Sequence, residues 1–211
     1  MLVVEHLAKN FGTLKAVQDL SFEIKDGEIL GLVGQNGSGK TTTFRMLLGL
    51  MQPTAGKVLW DGEKIGEKQK DLIGYLPEER GLYPKETIEQ QVMYFGKLRG
   101  KAPREIKEKL DYWMEHLQVK GNKNDKIKSL SKGNQQKVQL ITTLIHEPKL
   151  VILDEPFSGL DPVNAQIMQD AIIALRKQGA CVIFSSHNMA NVEQICDRLV
   201  MIKNGRQVLA G

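Results

Sequence analysis

The 211-residue chain is 41% hydrophobic and 26% charged, which fits one sizeable α/β domain with its own core and room for a small inserted unit. Its net charge of +4 is mild, and basic residues are interleaved with acids, so no nucleic-acid partner is expected. No apolar run approaches the ~18 residues of a membrane span, and Glu5 and His6 interrupt any signal-peptide core, so the expectation is a cytosolic chain that meets a membrane only through a partner. The two cysteines, Cys181 and Cys196, have no metal-like spacing and read as buried free thiols.

In chain order, "LVVEHLA" (2–8) and "VQDLSFEI" (17–24) read as strands, Asp26-Gly27 as a turn, and "EILGLVG" (28–34) as a buried strand. A helix is expected over 40–50, broken by "QPTAG". "KVLW" (57–60) is a strand, Asp61-Gly62 a turn, and "LIGYLP" (72–77) a short strand stopped by Pro77. Residues 86–100 and 103–117 then show two amphipathic, charge-rich helical patterns with no strand between them. This makes 79–128 a helical insertion and leaves 1–78 and 129–211 as the core.

"KLVILDEP" (149–156) is the most apolar strand, 162–177 a helix, "ACVIFSSH" (180–187) a strand and 188–196 a short helix. "RLVMI", Asn204-Gly205 and "RQVLAG" form a last hairpin. Strands alternating with helices imply a mostly parallel sheet covered on both faces.

"GQNGSGKTT" (34–42) fits the phosphate-binding pattern G-x-x-x-x-G-K-[ST] and sits between a buried strand and a helix start, the context that confirms it. Glycines Gly34, Gly37 and Gly39 let the backbone of Gln35, Asn36 and Ser38 turn its N–H groups around a phosphate. Lys40 supplies charge to the outer phosphates, Thr41 offers a hydroxyl to Mg²⁺, and Thr42 closes the motif.

In "LVILDEP", Asp154 ends an apolar strand where a carboxylate can hold Mg²⁺ through water, and Glu155 can orient or deprotonate an attacking water. Two acids there are costly unless a cation or substrate is near. His187 ends the next strong strand and faces the same crevice, where it can act on a γ-phosphate. "DLIG" (71–74) and "NKND" (122–125) match GTPase motifs in the right order. Neither closes an apolar strand, so a GTPase is the weaker reading.

The P-loop, "LSKGN" (130–134), "LVILDEP", "SGLD" (158–161) and "SSH" (185–187) occur in an order that resembles the ATP-binding subunit of ABC transporters over essentially the whole chain. The resemblance implies an ATPase with ATP and Mg²⁺ as cofactors. It implies a P-loop fold with an antiparallel β-edge from the N-terminal strands and an inserted helical subdomain. Phe11 matches the residue that stacks on adenine. Ser131 and Gly133 match the family signature, with Lys132 in place of a glycine and Asn134 in place of its glutamine. In the family two such domains, identical or related, pair head to tail, and the signature of one covers the γ-phosphate held by the other. Ser131 at a helix N-terminus suits that task, because it directs N–H groups and a positive dipole end at an anion.

Two departures stand out. The family's Q-loop glutamine falls at Glu78 in "GYLPEERGLYP", followed by a second acid, Glu79. Glu78 is expected either to ligate Mg²⁺ or to swing outward and pair with Arg80 or a permease residue. The pattern resembles a branch serving ABC-2-type export permeases, sodium extruders among them. A membrane permease is then expected to meet residues 78–83 from the inner face of the cell membrane. The chain also stops at Gly211 after a hairpin, which reads as a truncation. The alternative within the family is a soluble ATPase acting on DNA or ribosomes, against which stands the lack of a long coiled-coil insertion.

Overall fold

A computed structural model describes residues 1–79 and 81–211, apart from the side chains of Glu67 and Lys68. The first half runs β1 (Leu2–Phe11), β2 (Leu14–Ile24), β3 (Ile29–Val33), α1 (Lys40–Leu47), β4 (Ala55–Trp60), β5 (Glu63–Lys64), α2 (Glu67–Lys70) and β6 (Ile73–Leu76). The second runs α3 (Ile88–Leu98), α4 (Pro103–His116), α5 (Lys132–Leu144), β7 (Leu150–Leu153), α6 (Pro162–Lys177), β8 (Cys181–Ser186), α7 (Met189–Ile195), β9 (Arg198–Lys203) and β10 (Arg206–Ala210).

The strands form one mixed sheet in the order β5-β4-β1-β2-β10-β9-β3-β8-β7-β6. β9, β3, β8, β7 and β6 pair in parallel, while β5, β4, β1 and β2 make the expected antiparallel edge. The parallel strands β3, β7 and β8 are buried along their whole length, as a sheet covered on both faces requires. Alternate residues feed two cores. Val151, Leu153, Val182 and Phe184 pack with α3 to α6. Leu150, Ile152, Cys181 and Ile183 pack with Phe44 and Leu47 of α1.

Helix α1 ends three residues before the expected Leu50. Gly49 takes φ 66°, and its N–H reaches Met46 O at 3.0 Å. That left-handed glycine ends the helix more sharply than "QPTAG" would. β5 and α2 were not expected, because segments so short and polar leave no periodic signal.

The ends of the segment that carries α3 and α4 are stitched together. Ile127 N donates to Glu86 O at 3.0 Å, Lys128 N to Pro84 O at 3.0 Å, and Ile88 N to Asp125 O at 3.1 Å. Helix α3 opens on a reciprocal cap, with Thr87 Oγ1 accepting from Gln90 N and Gln90 Oε1 accepting from Thr87 N. Ile88, Val92, Ile106, Leu110 and Trp113 carry the apolar faces of α3 and α4 onto Val138 and Ile141 of α5.

Candidate active site

The loop between β3 and α1 is shaped by contacts that only glycine allows. A Cβ on Gly34 would overlap Ser38 Oγ and lie 2.5 Å from Ile202 O. Gly39 has φ 112°, and a Cβ there would lie 2.6 Å from Ala16 O. Lys40, next in the chain, folds its side chain back over the loop. Its Nζ donates to Gly34 O at 2.7 Å and to Gln35 O at 3.3 Å, and stands 3.3 Å from Glu155 Oε1.

Asp154 follows β7 and is almost wholly buried. Thr41 Oγ1 donates to its Oδ2 at 2.9 Å, and Ser185 Oγ donates to its Oδ1 at 2.6 Å. Glu155 has φ 48°, an uncommon left-handed backbone for a residue with a side chain. Its Oε2 meets His187 Nδ1 at 3.0 Å, while among the described residues Oε1 has no hydrogen bond beyond the ion-pair approach of Lys40. Thr41 and Asp154 thus offer hard oxygen donors side by side, a set that fits Mg²⁺. Among the described residues no group of three or more His, Cys, Asp or Glu could hold a metal alone. A cation here would therefore need phosphate and water oxygens as well, which is the usual habit of Mg²⁺ at nucleotide sites.

These groups open on a cleft of about 670 Å³ lined by Asn36, Gly37, Gly39, Lys40, Thr41, Thr42, Asp154 and Glu155. Phe11 and Glu78 stand at the same cleft, both exposed. Lys9 Nζ lies 5.4 Å from the centroid of the Phe11 ring. Asp154 and Glu78 both raise the pKa of Tyr75, after burial, to about 12. Arg80, the outward partner considered for Glu78, lies outside the described residues. Gln35, Ser38 and His187 line a second recess, which shares Asn36, Gly37 and Asn204 with the cleft.

The signature residues lie apart from this cleft. Ser131 caps α5, its Oγ accepting from Asn134 N at 3.3 Å and Asn134 Nδ2 at 3.2 Å. Asn134 is buried and also accepts from Lys120 N, so its side chain serves the loop before the helix. Gly133 packs against Asn164 of α6, where a Cβ would meet Nδ2 at 3.0 Å.

The GTPase-like motifs take other places. Asp71 precedes β6 and pairs with Arg99 at 3.2 Å. Asn122 to Asp125 close a surface turn through Asn122 N and Asp125 Oδ2 at 2.8 Å. Ser185 was missed by sequence reasoning. Two hydroxyls closing the apolar strand "CVIFSS" were the available signal, because a buried polar group needs a partner.

A parallel sheet that ends in a glycine loop, a helix start and two buried acids defines a P-loop nucleotide hydrolase. The family model "ABC transporter" matches residues 17–158. YhaQ, an ABC transporter ATP-binding protein of Bacillus subtilis, is 46% identical over 100% of this chain and 71% of its own length. The lipopolysaccharide export system ATP-binding protein LptB of Haemophilus influenzae is 33% identical over 100% of this chain and 90% of its own. The structure of cbiO1 from Clostridium perfringens, part of the ABC transporter complex cbiONQ, superposes with a TM-score of 0.88 at 30% identity, covering 100% of this chain and 87% of that one. The chain belongs to the ABC transporter family and is its ATP-binding, ATP-hydrolysing subunit.

Proposed function

We propose that this chain powers a separate membrane permease by pairing with a second ATP-binding subunit, identical or related, around two ATP molecules. The observation that carries the reading is the convergence of Lys40, Thr41, Asp154, Glu155 and His187 on the phosphate loop. Mg²⁺, when bound, would neutralise charge on the phosphates of ATP. Thr41 and Asp154 would hold it, with Glu78 as a further ligand from the cleft rim. The backbone of residues 34–42 and Lys40 bind the phosphates, and Phe11 offers a ring face to the base. Glu155 takes the proton of the attacking water, and His187 holds that carboxylate and reaches the γ-phosphate. Ser131 and Gly133 cover the γ-phosphate of the second subunit, with Asn134 fixing Ser131 in place.

We read 79–128 as an inserted helical unit within the core of 1–78 and 129–211. The permease meets it around residues 78–83, at the cytoplasmic face of the membrane. A cleft of about 310 Å³ there runs between β6, α3 and α5. Gln91 and Gln139 line it. Among the described residues no helix is long and apolar enough to cross a membrane. Export is the direction supported by LptB, whose name places it in an export system.

Affinity purification of the tagged chain from detergent-solubilised membranes of the native host tests this reading. Co-purification of an integral membrane subunit, with ATP hydrolysis lost in Glu155→Gln, is the expected result. Recovery of DNA or ribosomes instead would overturn it.

A further inference from the structure

Ser185 sits at the end of β8, wholly buried, between the two acids of the site. Pairing of Leu153 with Phe184 continues one step to bring Asp154 beside Ser185. A hydroxyl has one proton to give and two lone pairs to accept with. Glu155 N–H donates to Ser185 Oγ at 2.8 Å. The hydroxyl proton therefore goes to Asp154 Oδ1, at 2.6 Å. One side chain thus caps one oxygen of Asp154 and holds the backbone of Glu155.

Both bonds have directional consequences. With Oδ1 capped, Oδ2 is the Asp154 oxygen left beside Thr41 Oγ1. The bond to Glu155 N helps hold the φ 48° backbone that turns the Glu155 carboxylate between Lys40 and His187. Ser186, the next residue, is also buried, but among the described residues its hydroxyl bonds only to the backbone of Asn188.

We propose that Ser185 is a positioning residue, which sets Asp154 for the cation and Glu155 for water through one hydroxyl. This rests on the reading of Asp154 as the metal-side carboxylate. Outer-shell hydrogen bonds of this kind typically alter metal affinity by about 10–100-fold.

The test is nucleotide binding by the full chain, followed with a fluorescent ATP analogue during titration with Mg²⁺. Ser185→Ala should raise the Mg²⁺ needed for half-maximal enhancement by about tenfold. Its affinity for the analogue without Mg²⁺ should be unchanged. Ser185→Thr, which keeps the hydroxyl, should restore the wild-type titration, and Ser186→Ala should leave it unaltered. If Ser185→Ala does not fold, Ser185→Cys replaces it, and its longer, weaker donor should shift the titration in the same direction. A wild-type titration in the folded Ala or Cys variant overturns the proposal, as does an equal shift in Ser185→Thr. Asp154→Asn separates the two levels. If it leaves the Mg²⁺ titration unchanged, the metal-side reading of Asp154 itself has failed.

Discussion

Lys40 Nζ stands 3.3 Å from Glu155 Oε1, and the two side chains are only 6% and 7% exposed. The residue assigned to the outer phosphates and the residue assigned to water are thus each other's counter-ion. Removing one member of a buried pair typically costs about 3–5 kcal/mol, because the other is left charged and unpaired. Lys40→Ala should abolish ATP binding and also lower stability by about 3 kcal/mol. Adding Glu155→Gln should recover much of the stability and none of the binding. Calorimetry with Mg-ATP and urea unfolding read the two effects. Micromolar affinity in Lys40→Ala would sink the P-loop assignment, and equal unfolding of the single and double variants would sink the pairing.

Glu155→Gln alone keeps the size of the side chain and removes its charge. Nucleotide and Mg²⁺ binding should persist, while hydrolysis should fall by at least about 100-fold, the lower range for loss of a general base. With ATP the variant should accumulate as a dimer, because turnover no longer releases the two nucleotides. Adding Ser131→Arg should abolish that dimer by placing bulk where phosphate must approach the start of α5. Size-exclusion chromatography with ATP decides the matter, and equal dimer in both proteins would contradict the sandwich.

Much of the fold was legible because its signals were local. Pro162 and Asp161 announce α6, whose span of Pro162–Lys177 matches the expected 162–177. The apolar run before Asp154 marks β7, and the glycine spacing of 34–42 marks the loop. Sheet order was less accessible. β10 reaches β2 through the single pairing of Arg206 with Gln18, a long-range choice that no period in either segment reveals. The site divided in the same way. Lys40, Asp154 and Glu155 carry motif signals, whereas Ser185 matters through a neighbour brought beside it by strand register. Asn134 shows the opposite case, where the motif was legible but the side chain faces Lys120 N and Ser131.

His146 predicts a pH effect on stability. It is buried between α5 and β6, with Nε2–H donating to Ile73 O at 3.1 Å. Burial pushes its pKa from the ordinary 6.5 down to about 4, helped by the charges of Arg99 and Lys101. The folded state therefore keeps His146 neutral where the unfolded chain takes up a proton. This contribution to stability is whole above pH 6.5, declines as pH falls towards 4, and is flat below. At pH 5 the loss should be about 2 kcal/mol. His146→Gln, which can still donate to Ile73 O, should lose less stability than the wild type between pH 7 and 5 in urea titrations. An equal loss in both proteins would show that other groups govern the acid limb.

Glu78 is the departure from the family pattern with the most direct consequence for the chemistry. It stands at the rim of the cleft that holds Lys40, Thr41 and Asp154. A glutamine there would offer a neutral carbonyl oxygen, whereas a glutamate brings a negative charge towards Asp154 and Glu155. At ~4 Å and an effective dielectric of about 20, each such repulsion is on the order of 4 kcal/mol. With Glu78 as the proposed ligand, contact with Mg²⁺ would offset it, since a hard cation prefers the charged oxygen. Glu78→Ala should then lower kcat and raise the Mg²⁺ needed for half-maximal ATP hydrolysis, each by about tenfold, and Glu78→Gln should be milder in both. The assay uses the assembled transporter, where the proposed pairing of two subunits would close the site. If Glu78→Ala hydrolyses ATP at the wild-type rate with an unchanged Mg²⁺ titration, Glu78 is no ligand, and its charge is spent outside the cleft.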